Sequence, residues 1–98
     1  MIRHLIVFNL REGLGHQDCL DMIDEGRRVL TLIPGVTDYH FGEAVDLAAK
    51  YRYYLAIDFT DESVIELYKY HPLHVKFADE WFRRSATDRI TTDYNLYP

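Results

Sequence analysis

The chain has 98 residues, 48% of them hydrophobic, which is enough for one core but not for two domains. Its 16 acidic residues outnumber 11 lysines and arginines, and the net charge of -5 excludes the basic face that phosphate backbones or anionic lipid attract. Nucleic acid and membrane are therefore not expected partners. With no long apolar run, no secretory-type leader and Cys19 as its one cysteine, the sequence predicts a cytoplasmic protein with neither an internal disulfide nor a thiolate-rich zinc site.

Ile2, His4, Ile6, Phe8 and Leu10 alternate with Arg3, Leu5, Val7 and Asn9, the period of two of a pleated strand. After a turn at Glu12 to Gly15, the residues Cys19, Met22, Ile23, Gly26, Val29, Leu30 and Ile33 recur three or four apart, predicting an amphipathic helix that stops at Pro34-Gly35. Cys19 lies on its apolar stripe and reads as core rather than as a nucleophile. Val36 to Gly42 and Tyr51 to Phe59 read as two strands of a hairpin, with Gly35 and Gly42 serving a turn and a close approach. Thr60 or Asp61 is placed to cap a second helix with the stripe Val64, Leu67, Tyr68 and His71. Pro72 interrupts that helix and suits the first turn of a third, with the stripe His74, Phe77, Ala78 and Trp81. His71, just before the proline, is expected to cap or orient the junction. Ile90, Thr92, Tyr94 and Leu96 mark a last strand. The order βαββαβ over residues 1–98, with a split second helix, defines a single α+β domain of ferredoxin-like layout with an antiparallel sheet.

Helices on one face of such a sheet ordinarily leave a polar face opposite. Here both faces are apolar: His4, Ile6 and Phe8 back onto Leu5 and Val7, and Tyr53, Leu55, Ile57 and Phe59 back onto Tyr54 and Ala56. A second copy of the chain is the simplest cover, giving a homodimer, a sheet-on-sheet pair or a closed barrel. Leu96, Tyr97 and Pro98 are in position to reach across it.

Arg3-His4-Leu5-Ile6-Val7-Phe8, Leu32-Ile33-Pro34-Gly35-Val36 with Gly42, and Tyr68-x-x-His71-Pro72-x-His74 together resemble the stress-responsive dimeric α/β-barrel family, from His4 to Tyr94. The resemblance implies a dimeric ferredoxin-like barrel. A plant member of that family closes a linear polyketide by aldol condensation without a cofactor. By that likeness Tyr68 and His74 are the catalytic pair, with His4 and Asp93 near the pocket and Phe8, Ile23 and Trp81 as further substrate-binding residues. The resemblance also implies a magnesium ion on the backbone carbonyls of Leu30, Ile33 and Val36. Met22, Ile23 and Gly26 stand where the plant cyclase has bulky pocket aromatics, so a different cavity is implied.

The residues support this chemistry on their own terms. Tyr68 and His74 fall on the inward stripes of consecutive helices, so they can share a pocket. A histidine titrating near neutrality and a tyrosine hydroxyl suit proton abstraction beside a carbonyl, with no cofactor. A buried Tyr–His hydrogen bond serving structure alone would use the same two residues. Asp93 can fix a histidine tautomer, although its register leaves open which face it takes. Arg89 and Thr91 make that end more polar and favour a small, oxygenated ligand. His4, His71 and His74 lack a convincing further ligand for zinc, and His16 and His40 stand without a constellation. The function expected is a pocket for a small carbonyl or polyketide-like ligand, as a cofactor-free cyclase, lyase or isomerase; the alternative is a non-catalytic stress-response dimer that binds a ligand or a protein.

Overall fold

Alternating residues make β1 a strand from Ile2 to Leu10 at the centre of the sheet, with β3 on one side and β4 on the other. The computed structural model describes residues 1–98. In chain order it has β1 (Ile2–Leu10), α1 (His16–Leu30), β2 (Val36–Glu43), β3 (Tyr53–Phe59), α2 (Ser63–Tyr70), α3 (Pro72–Phe77) and β4 (Ala86–Asn95). Between α3 and β4 the helix runs on through a π turn (Ala78–Phe82) and a last short turn, α4 (Arg83–Ser85). The strand order β2-β3-β1-β4 with antiparallel neighbours is the ferredoxin-like sheet that the element order predicts. No helix is long and apolar enough to cross a membrane.

Register decides which side chains meet the helices. His4 pairs with Ile57 and Asp93, and Ile6 with Leu55 and Thr91, so these six residues share the helix-covered face. Asp93, whose face the sequence left open, therefore stands beside His4. Against this face α1 buries Cys19, Met22, Ile23, Gly26 and Leu30, and Phe8, Ile57 and Phe59 are fully enclosed. Burial pushes the Cys19 thiol up to about 11, which suits a core residue and not a nucleophile.

The predicted punctuation has visible causes. Gly35 turns the chain at φ +92, a left-handed conformation that costs glycine least. At Gly42 the Tyr54 ring of the neighbouring strand fills the space a Cβ would take. Asp61 Oδ1 accepts from the Ser63 amide at 2.8 Å in the turn that leads into α2, whose N-cap position is Glu62.

One stripe is displaced from its prediction. A regular helix would bring Trp81 inward after Phe77 and Ala78, but the π turn inserts one residue into the phase. Phe82 is the buried residue instead, edge-on to Phe8 at 5.2 Å, and Trp81 is only partly buried, packed at the edge of the core.

The opposite face carries Leu5 and Val7, half-buried, and Tyr54, Ile90 and Tyr94, exposed at 40%, 51% and 47%. At one end of it the Arg3 guanidinium grips both oxygens of the buried Asp58, at 2.8 and 2.9 Å. His40, expected to stand alone, faces this pair: its Nε2 lies 3.2 Å from Asp38 and 3.5 Å from Asp58. Asp58 comes from the next strand, which single-strand spacing does not reveal.

Candidate functional site

Pro72 has no amide hydrogen, so α2 cannot run into α3. The Tyr68 carbonyl instead accepts from the His71 amide at 3.2 Å, and the chain turns extended at His71 (φ -64, ψ 134). In an unbroken helix the Leu73 amide would bond the Lys69 carbonyl. Here it donates to His71 Nδ1 at 3.1 Å, so His71 is the N-cap of α3, as its position before the proline predicts. The Lys69 carbonyl, thus released, lies 3.0 Å from His74 Nδ1.

That contact sets the histidine's chemistry. A carbonyl only accepts, so His74 Nδ1 carries the proton and Nε2 keeps a free lone pair. Burial lowers the His74 pKa from its ordinary value, with the nearby His4 and Arg83 acting in the same direction, so the imidazole is neutral at neutral pH. Its ring stands 4.3 Å from that of Tyr68, centroid to centroid. The two are in contact but not hydrogen-bonded, which sets aside the structural Tyr–His bond as an account of the pair. Tyr39, by comparison, satisfies its hydroxyl by donating to the Ile23 carbonyl at 2.9 Å. The Tyr68 hydroxyl donates to no group of the chain, and burial raises its pKa well above the usual tyrosine value, so it remains a neutral donor.

His4 completes the group from the sheet. Its Nδ1 lies 2.6 Å from Asp93 Oδ1, and its ring stacks on Phe59 at 5.7 Å and meets Tyr68 at 5.4 Å. The carboxylate orients the ring and leaves Nε2 as the second unpinned imidazole nitrogen.

Tyr68, His74, His4 and Asp93 line one cavity of about 370 Å³, between the sheet and the α2–α3 pair. Ile6, Leu55, Ile65 and Phe77 supply its apolar wall. The sequence therefore brings four of its seven expected catalytic and substrate-binding residues together. Phe8, Ile23 and Trp81 are elsewhere: Phe8 packs against Phe82, Ile23 is enclosed on the buried face of α1, and Trp81 lines a separate groove against α1 with Arg28 and Leu32. Phe82, Arg83 and Lys69 line the cavity without having been singled out. The π turn explains Phe82; for Lys69 the only signal is its place ahead of Pro72.

The Leu30 and Ile33 carbonyls accept from the Ile33 and Val36 amides at 3.2 and 3.1 Å. Each keeps one lone pair, and with Val36 the chain offers three neutral oxygens and no carboxylate. A magnesium ion there would have no anionic ligand and would take the rest of its six-oxygen shell from water, and the chemistry above does not involve it.

A family model for the stress responsive A/B barrel domain matches residues 2–96. The chain belongs to that family. Several solved structures share the fold of this stress responsive A/B barrel protein at low identity. A family protein of ferredoxin-like fold from Mesorhizobium loti is 23% identical, with a TM-score of 0.84 over 99% of this chain and 97% of that one. A hydroxynitrile lyase from Passiflora edulis is 16% identical, with a TM-score of 0.82 over 99% and 96%. SnoaB, a cofactor-independent oxygenase from Streptomyces nogalater, is 10% identical, with a TM-score of 0.78 over 99% and 93%. Three further similar structures are dimeric proteins of ferredoxin-like fold and unknown function. Among curated proteins there is no significant sequence match.

Proposed function

We propose that this stress responsive A/B barrel protein is a homodimeric, cofactor-independent acid–base catalyst that removes a proton beside the carbonyl of a small substrate, in a cyclase, lyase or isomerase reaction. The observation that carries this is the Lys69–His74 contact, which leaves Nε2 free as a base in the same cavity as an unbonded Tyr68 hydroxyl. With a carbonyl oxygen at Tyr68, His74 Nε2 takes the α-proton while the C–H electron pair passes to the carbonyl as an enolate. Tyr68 then strengthens its hydrogen bond to the developing oxyanion without giving up its proton, and His4 Nε2, when protonated, adds a second donor. Returning the proton at another atom gives an isomer; attack by the enolate carbon on a second carbonyl closes a ring. The lyase and the cofactor-independent oxygenase of the same fold are consistent with acid–base chemistry in such a cavity, as an analogy of fold. The apolar helix-free face, together with the dimeric neighbours, supports pairing through that face.

Proton abstraction can be measured without the physiological substrate. In deuterium oxide the protein should accelerate exchange of the α-hydrogens of a simple β-diketone, and His74→Ala should abolish that acceleration. A diketone that binds in the cavity with no exchange above the buffer rate would instead support a non-catalytic ligand-binding dimer.

A further inference from the structure

Besides the groups that the proposed chemistry uses, the cavity lining is cationic in a chain whose net charge is -5. Lys69, Arg83 and Arg89 line it, and the one acidic lining residue, Asp93, is committed to His4. Arg83 is already paired with Asp79, outside the lining, whereas Arg89 has no carboxylate partner.

β4 carries an irregularity beside Arg89. Val7 pairs with Ile90 and Asn9 with Thr87, so Asp88 and Arg89 together stand opposite the single residue Phe8, and Asp88 takes a positive φ of 53. This is a β-bulge, of the kind found next to functional sites. Phe8 lies on the helix-covered face, and Arg89, in alternation with Thr91 and Asp93, lies on it too, with its guanidinium carbon 5.7 Å from the Phe82 ring. Phe82 is itself the residue that the π turn swings inward. Two departures from regular backbone, one in a helix and one in a strand, thus converge on one pair of cavity residues.

We infer that Arg89 is the anchor for a carboxylate on the substrate, so that the ligand is a small carbonyl compound bearing an acid group, its carboxylate at Arg89 and its reacting carbonyl at Tyr68 and His74. The inference rests on the acid–base reading of the same cavity. A guanidinium offers a planar pair of donors that fits a carboxylate bidentately, and the neighbouring Phe82 ring attracts it without neutralising its charge. The cavity volume lies within the range of small-ligand sites, about 300–1,000 Å³.

The test compares para-acetylbenzoate with its neutral isostere para-acetylbenzamide by NMR titration of the full-length protein, read at the His74 and Tyr68 ring signals. Both should shift those signals, the benzoate binding about tenfold more tightly. Arg89→Gln should bring the two affinities together by weakening the benzoate alone, and Arg89→Lys, which keeps the charge but not the fork, should fall between; thermal melts confirm that both variants are folded. Equal affinities in the wild type, or a preference that survives Arg89→Gln, would overturn the carboxylate anchor and leave the carbonyl site standing. If neither compound moves the His74 and Tyr68 signals, the carbonyl site falls and the anchor with it.

Discussion

His74 Nδ1 stands 3.0 Å from the main-chain carbonyl of Lys69, an oxygen that is free because Pro72 breaks the helix. Fold and chemistry meet in that contact. The break that ends α2 exposes an acceptor, the acceptor fixes a tautomer, and the tautomer leaves a basic nitrogen in the cavity beside Tyr68.

Burial lowers the His74 pKa below its ordinary value of 6.5, so the neutral base persists to lower pH than a free histidine would. Catalysed exchange should lose its acid limb with a midpoint below 6.5. The same shift acts on stability: as pH falls below 6.5 the unfolded chain takes up a proton that folded His74 refuses. Stability therefore declines between 6.5 and the folded pKa and then levels off. An NMR titration of the His74 ring should show the lowered midpoint, and His74→Ala should remove this part of the stability profile.

Tyr68→Phe deletes a hydroxyl that bonds no group of the chain, so unfolding in urea should change by less than about 1 kcal/mol. Affinity for a carbonyl ligand should nevertheless fall about tenfold, by loss of one hydrogen bond to the ligand oxygen. A variant that unfolds readily while binding normally would make Tyr68 a packing residue.

His71 acts through the backbone. Its Nδ1 holds the Leu73 amide at 3.1 Å, so His71→Ala should cost about 0.5–2 kcal/mol, the usual range for loss of a helix cap. His71→Asn, which restores a side-chain acceptor, should recover most of it. Urea denaturation of the three proteins makes the comparison, and the His74 pKa should shift in the alanine variant if the cap also positions that ring.

These relationships were unequally legible in the sequence. Strand alternation gave the two faces of β1 and β3, and the Tyr68, His71, Pro72 and His74 spacing placed a pocket at the helix break, because both patterns are local. Phe82 was hidden because a π turn shifts a helical phase through packing, without a composition of its own. The faces of Arg89 and Asp93 depend on the register of β4 against β1, some eighty residues away in sequence. His40 met Asp58 for the same reason, through the β2–β3 register rather than through its own strand.

The Arg3–Asp58 pair gives an acid signature distinct from that of His74. Asp58 is 3% exposed, and the Arg3 hydrogen bonds hold its carboxyl below the usual value of 3.8. A depressed carboxyl contributes its full stability above 3.8 and loses it as pH falls through the folded value. Asp58→Asn should destabilise the protein by about 1–3 kcal/mol at neutral pH. Wild type and variant should then converge in acid, where Asp58 is protonated. A difference that stays constant as pH falls through the acid range would assign the loss to packing instead.

Pairing of the helix-free faces makes a separate prediction. Leu5 and Tyr54 stand on that face, one half-buried and the other 40% exposed, with Ile90 and Tyr94 nearby on β4. A carboxylate there would have to be buried without a partner in the dimer, whereas in a monomer it stays in water. Leu5→Asp and Tyr54→Asp should therefore give folded monomers, the solution mass by sedimentation dropping from twice 11.6 kDa to 11.6 kDa. Tyr54→Asp also loses the ring packed on Gly42, so Leu5→Asp is the cleaner probe. If it remains a dimer, the subunits meet elsewhere, and the apolar groove of Leu32, Leu73 and Trp81 beside α1 is the next surface to charge.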